Sequence, residues 1–111
     1  MREARLTIFN AVDASIDETS QAINAEQISA MSVTAFVTGT STGTLNLQAS
    51  NDPAGAVNNW ITIPGASVSV TGAGGYIIPI VSISYEWLRI YWAHSNGQSG
   101  ALTVNTKSDG Y

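Results

Sequence analysis

The sequence predicts an all-β chain folded as a single antiparallel sandwich of two sheets, jelly-roll or immunoglobulin-like, with about eight strands. Three observations support this fold class. Thr, Ser, Val, Ile and Gly are abundant in the 111 residues. Apolar and polar residues alternate with a period of two, which is the pattern of a half-buried strand. Clusters of Gly, Pro and Asn divide the chain at short intervals, as turns between strands do.

The N-terminal part is predicted to supply two strands and an irregular link. In the first strand, Leu6 and Ile8 should share one face. The segment Ile16–Glu26 fits neither the helical nor the strand period, and we expect extended chain with Ala22 or Ile23 tucked under a neighbour. The run Ile28–Thr38 should bury one face and expose Ser32, Thr34 and Phe36 on the other; the buried residues would be Met31, Val33, Ala35 and Val37.

The middle of the chain contains the clearest strand, Thr44–Ser50, with Leu45, Leu47 and Ala49 pointing inward. A loop follows at Asn51–Gly55. There Asn51 or Asp52 should hydrogen-bond the turn backbone, and Pro53 should fix φ. A short strand, Trp60–Ile63, should end at Pro64-Gly65, and Ser67–Thr71 should follow it as a separate strand.

The C-terminal part is predicted to contain strands at Tyr76–Ile80, Tyr85–Ala93 and Ala101–Lys107. Gly72–Gly75 is a turn, because it lacks the Lys and Ser/Thr of a phosphate-binding loop. Ser95–Gly100 should be a hairpin loop. The residues expected to lie buried together between the two sheets are Leu45, Leu47, Leu88, Ile90, Leu102 and Val104.

Composition argues against several classes of function. Charged residues make up 11% of the chain, the net charge is −4, and there are four Lys and Arg. A phosphate-binding surface needs more cations, so we expect no nucleic-acid partner. There are no cysteines and a single histidine, His94, so we expect no metal and no cofactor. No apolar run approaches the length of a membrane helix, and Leu6–Ala11 is too short and polar for a signal peptide.

Catalytic residues are not indicated. His94, Asp52 and many serines are present, but no Gly-x-Ser-x-Gly motif frames a nucleophile, and His94 is expected in a solvated loop. Asp13, Asp17 and Glu18, with Glu26 nearby, are interpreted as a solvated acidic segment. We therefore expect a protein that is not an enzyme.

The strand Tyr85–Trp92 has an unusual outer face. Leu88, Ile90 and Trp92 would face the core with Glu86, while the opposite face would carry Tyr85, Trp87, Arg89 and Tyr91. Arg among aromatic rings could form a cation–π ladder, a platform for sugar stacking, or a protein contact. Alternatively, the rings only fill the sandwich edge, with Arg89 covering them. The candidate interaction residues are Trp87, Arg89, Tyr91 and Trp60.

Three motifs resemble those of small structural proteins of bacteriophages. They are Leu45-x-Leu47-Gln48-x-Ser50-Asn51-Asp52, Trp60-x-x-Ile63-Pro64-Gly65 and Tyr85-x-Trp87-Leu88-Arg89-Ile90, with a Gly-rich hairpin after the third. The resemblance covers Gly39–Lys107. It implies a non-enzymatic virion component: a capsid decoration, minor capsid or vertex protein, or a tail or spike subunit. Its partners would be the major capsid protein or other virion proteins, and assembly in the host cytoplasm agrees with the lack of a signal peptide.

Two further expectations concern how the protein acts. The low charge favours permanent packing against neighbours, so we expect a homo-oligomer whose residues 1–28 act as an assembly arm on a single domain, 1–111. The alternative is a carbohydrate-binding module, or a receptor-binding tail or spike subunit, in which Trp60, Trp87 or Tyr91 stacks on a glycan.

Overall fold

A computed structural model describes residues 2–52, 59–97 and 99–110. These residues form nine strands and no helix. The strands are β1 (Arg2–Asp13), β2 (Glu18–Thr19), β3 (Ile23–Asn24), β4 (Ile28–Gly39), β5 (Thr42–Ser50), β6 (Ile61–Val70), β7 (Gly74–Ser82), β8 (Trp87–Asn96) and β9 (Gly100–Gly110). None of the described residues belongs to a helix with the length and apolar character of a membrane span.

The strands form two antiparallel sheets, which confirms the predicted sandwich. A four-stranded sheet has the order β1-β9-β4-β7, and a five-stranded sheet has the order β2-β8-β5-β6, with β3 also paired to β8. Strands β4 and β5 follow each other in the chain yet lie in different sheets. The link between Gly39, the last residue of β4, and Thr42, the first residue of β5, is therefore a corner between the sheets rather than a hairpin.

The core lies between the two sheets and contains all six residues predicted for it. Leu45, Leu47, Leu88, Ile90, Leu102 and Val104 are completely buried. The first four come from the five-stranded sheet and the last two from the four-stranded sheet. Strand β4 likewise buries Met31, Val33, Ala35 and Val37 while Phe36 points outward, as its alternation predicts.

The alternation of Leu6 and Ile8 in the first strand did not identify its buried residue. Leu6 is half exposed, Ile8 is partly buried, and Phe9 is the buried residue. The pairing of β1 with β9 shifts on both sides of Phe9, and Ala11 has a positive φ of 53°. Such bulges change which side of the strand faces the core. A strict period of two cannot detect them.

Pro64-Gly65 does not end a strand, which corrects a second prediction. Strand β6 runs from Ile61 through these residues to Val70. Its pairing with β5 shifts between the pairs Asn46–Ser67 and Gln48–Thr62, and Gly65 has a φ of 80°. The proline is tolerated because β6 is an edge strand, where a backbone without an N–H leaves no ladder bond unmade.

The irregular segment Ile16–Glu26 is extended, as predicted. It forms the two short strands β2 and β3 on the outer edge of β8, and Ile23 packs against the core while Ala22 is exposed. Residues 2–13 pair with β9 within the same chain. An assembly role for residues 1–28 remains a prediction. Because β4 lies between β9 and β7, a sandwich without that segment must still begin by Ile28.

Candidate interaction face on the five-stranded sheet

The outer face of the five-stranded sheet is built by the alternation of β8. Its even-numbered residues Leu88, Ile90 and Trp92 are buried. Trp87, Arg89 and Tyr91 are therefore directed to the opposite side of the sheet, where they are partly buried. The indole N–H of Trp92 donates to the Ala14 carbonyl at 3.0 Å, which fixes the inner register of this strand.

Arg89 is held between two aromatic side chains. Its guanidinium carbon lies 4.6 Å from the centre of the Trp60 ring and 6.0 Å from that of Tyr91. Both distances are within the range of cation–π attraction. Burial lowers the pKa of the guanidinium, and Tyr91 acts in the opposite direction. Arginine nevertheless remains charged at neutral pH, since its ordinary pKa is very high.

Gln48 holds the Arg89 side chain by a hydrogen bond. It lies directly opposite Arg89 in the β5–β8 pairing, and Arg89 Nε donates to Gln48 Oε1 at 2.7 Å. The amide nitrogen of Gln48 donates in turn to the Thr62 hydroxyl of β6 at 3.3 Å. The guanidinium is thus fixed by both a hydrogen bond and two rings, and its terminal nitrogens remain available for an additional acceptor.

Tyr91 connects this group to Asp17. The Tyr91 hydroxyl donates to Asp17 Oδ2 at 3.4 Å, and the His94 backbone N–H donates to Asp17 Oδ1 at 2.8 Å. The segment before β2 is therefore tied to the strand that carries Arg89. The outer face consequently presents a cation and an anion at either end of the Tyr91 side chain.

Three of the four candidate residues thus come together: Trp60, Arg89 and Tyr91. Trp87 lies on the same side of β8, opposite Ser50 and Asn24, and its indole nitrogen is buried with no hydrogen-bond partner among the described residues. Sequence reasoning missed Gln48 and Asp17, because the cross-strand register that places them beside Arg89 and Tyr91 cannot be read from one strand alone.

His94 is not a loop residue, in contrast to the prediction. It lies in β8 opposite Gly43 and is partly buried, because the strand extends to Asn96. Its ring Nε2 is 2.9 Å from the Gly97 carbonyl oxygen, so the ring stabilises the β8–β9 turn. In the described part of the chain, no hydrogen bond joins this ring to a serine or to Asp52.

The acidic residues act separately rather than as one cluster. Asp13 accepts hydrogen bonds from the hydroxyl and backbone N–H of Ser15, which lower its pKa. A hydrogen bond with Glu26, burial and the charge of Glu26 raise the pKa of Glu86. Within the described residues there is no group of three or more His, Asp or Glu side chains placed to hold a metal ion.

The loop after β5 is closed by Asp52, in part as predicted. Its carboxylate accepts the backbone N–H of Asn59 at 2.9 Å, and Asn51 Oδ1 accepts the backbone N–H of Glu86 at 2.9 Å. Both side chains therefore accept hydrogen bonds from backbone N–H groups. Pro53 lies outside the described residues.

Solved structures share this fold, although no protein-family model and no curated protein sequence matches the chain. The PBSX exported protein XepA is similar over 97% of this chain, with a TM-score of 0.76 and 18% identity. The SPBc2 prophage-derived protein YomS is similar over 97% of this chain and 95% of its own, with a TM-score of 0.54 and 11% identity. This is a fold that phage-derived proteins use.

A protein of Bacillus endospore appendages, described as disulfide-linked pili, is also similar, with a TM-score of 0.58 and 14% identity over 98% of this chain and 87% of its own. The chain spans only 37% of the length of XepA. At these identities the similarity establishes the sandwich fold. The function of the sandwich depends on the surface residues of this chain.

Proposed function

We propose that this chain is a non-enzymatic structural component of a bacteriophage particle, a capsid decoration, minor capsid or vertex protein that acts through protein–protein contacts. The observation that carries the proposal is the arginine fixed by Gln48 between the rings of Trp60 and Tyr91. The fold that this chain shares with phage-derived proteins supports a location in a phage particle. The contact surface is the outer face of the five-stranded sheet.

The physical reason lies in how protein interfaces gain energy. Trp, Tyr and Arg are the residues most often responsible for binding energy at protein contacts. Here they are already immobilised, so binding loses less side-chain entropy than it would with free side chains. The rest of the face carries few charges, since charged residues are only 11% of the chain. Little desolvation of charge would oppose close packing.

The carbohydrate-binding alternative is less well supported by the same geometry. A sugar ring stacks on an open aromatic face, but the Arg89 guanidinium lies over the Trp60 ring. One face of that ring is therefore occupied by a cation. A glycan-binding spike subunit would show saturable binding to an oligosaccharide that is lost in Trp60→Ala and in Tyr91→Ala.

The partners in this proposal are other virion proteins or further copies of the chain, and the location is the virion. The endospore appendage protein belongs to pili described as disulfide-linked. This sequence contains no cysteine. Its contacts in a particle would therefore form without disulfides from this sequence.

The experiment that tests this function is the copy number of the protein in purified particles. Phage particles released from cells that carry the coding sequence are purified, and the protein is quantified against the major capsid protein by mass spectrometry. Hundreds of copies per particle would identify a decoration or lattice protein. A low copy number in multiples of three or five would identify a vertex, spike or tail part. Absence from the particles would overturn the proposal.

A further inference from the structure

We propose that the outer face of the five-stranded sheet pairs with the same face of a second copy of this chain, in a twofold dimer in which Arg89 of each copy binds Asp17 of the other. This inference rests on the proposed function, since it names one partner for the same face. It follows from three features of that face: an arginine with no carboxylate partner among the described residues, an exposed carboxylate held in place by hydrogen bonds, and a tyrosine that contacts both.

The first feature is the charge of Arg89. Among the described residues, its contacts are the Gln48 amide and the rings of Trp60 and Tyr91, and no carboxylate is present. Only its Nε is used in a hydrogen bond to the chain. The terminal edge of a guanidinium matches a carboxylate, with two parallel hydrogen bonds. A partly buried arginine of this kind is therefore a ready site for an acidic side chain.

The second feature is the position of Asp17. Its two oxygens accept hydrogen bonds from the Tyr91 hydroxyl and the His94 backbone N–H, which hold the carboxylate in place. A carboxylate can accept about four hydrogen bonds, so this one retains capacity for an arginine. Asp17 itself is exposed. Like Arg89, it is preformed for a partner.

The third feature is the relation between the two charges. Tyr91 contacts both, since its ring lies near the Arg89 guanidinium and its hydroxyl meets Asp17. A twofold axis close to Tyr91 exchanges the two positions, so each arginine meets an aspartate of the other copy. This is the self-complementary contact of a twofold interface, in which residue i meets j and j meets i.

The remainder of the face does not oppose this pairing. The outward positions of β5 and β6 beside Arg89 and Tyr91 carry no charge. They are Thr44, Asn46, Gln48, Thr62, Ser67 and Ser69. Two copies can therefore approach without placing like charges together. Trp60 adds a large flat ring beside the arginine, where an anchor residue is most effective.

The test is a charge exchange measured by sedimentation equilibrium of the full chain. Arg89→Asp alone places two carboxylates against each other at both contacts of the dimer, and Asp17→Arg alone places two guanidinium groups against each other at both. We expect each single variant to dissociate at least tenfold more readily than the natural protein. In a 1:1 mixture of the two single variants, both contacts of the mixed dimer again join a carboxylate and a guanidinium group, so we expect mixed dimers to form although neither variant dimerises well alone.

The combined variant, Arg89→Asp with Asp17→Arg in the same chain, tests the same pairing in a dimer of identical copies. In its dimer, each contact again joins an arginine and an aspartate, with the two positions exchanged. We expect its affinity to approach that of the natural protein, so that the two changes together restore at least most of the tenfold loss that each causes alone.

Two controls keep the result interpretable. Lys107→Asp makes the same change of charge on the other sheet and should leave the dimer intact. Asp17→Asn retains an acceptor for the His94 N–H and removes the charge, so it should weaken the dimer without unfolding, as checked by circular dichroism. If the combined variant stays monomeric while it is folded, or if the natural protein is monomeric at every concentration, the pairing is wrong.

The outcome is separable from that of the proposed function. A monomeric protein found in purified particles would overturn the dimer and leave the structural role in place. A dimer that is absent from particles would support the pairing and overturn the role.

Discussion

The outer faces of the two sheets carry large side chains in different ways. On the five-stranded sheet, Trp60 and Tyr91 are partly buried against Arg89, and hydrogen bonds from Arg89 to Gln48 and from Tyr91 to Asp17 fix the group. On the four-stranded sheet, Phe36 is 61% exposed and Ile77 is 64% exposed. They border a shallow cavity of about 490 Å³ together with threonines and Asn105.

The difference shows that exposure alone does not identify a binding face. Exposed single apolar residues are normal on soluble proteins. Phe36 lies directly opposite Gly75 on the neighbouring edge strand, a position that has no side chain of its own. An aromatic side chain across from an edge-strand glycine stabilises the pairing of the two strands. The aromatic residues around Arg89 instead hold a charged group in a defined orientation, which a partner can recognise.

The largest expected effect is the loss of stability when a core residue is truncated, and this loss should be similar for the two sheets. Leu47 and Leu102 are both completely buried, one in each sheet. We expect Leu47→Ala and Leu102→Ala each to lower the free energy of unfolding by about 2–5 kcal/mol, because each leaves a cavity in the core. Phe36→Ala, on an outer face, should cost about 1 kcal/mol or less. Urea denaturation of the three variants measures this order, and a Leu47→Ala variant as stable as the natural protein would show that the inner register is wrong.

A smaller effect should separate the two outer faces. Arg89→Gln removes the cation over Trp60 and should lower the free energy of unfolding by about 1 kcal/mol, the size of a partly desolvated cation–π contact. Lys107→Gln, which removes a charge on the four-stranded sheet, should change it by about 0.5 kcal/mol at most, as an exposed charge does. Equal effects in thermal unfolding would mean that Arg89 is no better fixed than a surface lysine.

How much the sequence predicts differs between regular and bulged strands. The alternation in β4, β5 and β8 identified the buried side of each strand, since every second side chain of a regular strand faces the same way. Around Phe9 and at Pro64-Gly65 the pairing of the strands shifts. There the alternation did not identify Phe9 as the buried residue of β1, and it divided β6 into two strands. A bulge depends on the partner strand, which a period within one strand does not contain.

The candidate site shows the same limit. The alternation of β8 placed Trp87, Arg89 and Tyr91 on one side, and the glycan-binding alternative added Trp60 as a stacking ring. The contacts of Arg89 with Gln48 and of Tyr91 with Asp17 join residues 41 and 74 positions apart. Contacts between strands so distant in sequence depend on topology and register. Only the structure supplies these.

The smallest expected effect distinguishes two carboxyl groups, one beside each sheet. The pKa of Glu86, next to the five-stranded sheet, is raised by Glu26, so the folded protein binds this proton more tightly than the unfolded chain. Stability from this group should decrease as pH rises from the ordinary glutamate pKa to the raised one. The pKa of Asp13, at the end of β1, is lowered by Ser15. Its stabilisation should increase as pH rises from the lowered pKa to the ordinary aspartate value.

These opposite slopes can be measured from melting temperatures across the acidic range up to neutral pH, with Glu26→Gln and Asp13→Asn as the matched variants. Glu26→Gln should remove the decrease, and Asp13→Asn should remove the increase. If both variants follow the natural protein over the whole range, neither carboxyl group has the assigned partner.

The most direct test of the account compares the two outer faces in a single sample. Hydroxyl-radical footprinting of the full chain, read by mass spectrometry in dilute and in concentrated solution, reports the solvent access of aromatic residues on both faces. We expect oxidation of Trp60 and Tyr91 to fall several-fold on concentration, while oxidation of Phe36 stays constant. Protection of Phe36 with Trp60 and Tyr91 unchanged would contradict the assignment of the five-stranded sheet as the binding face.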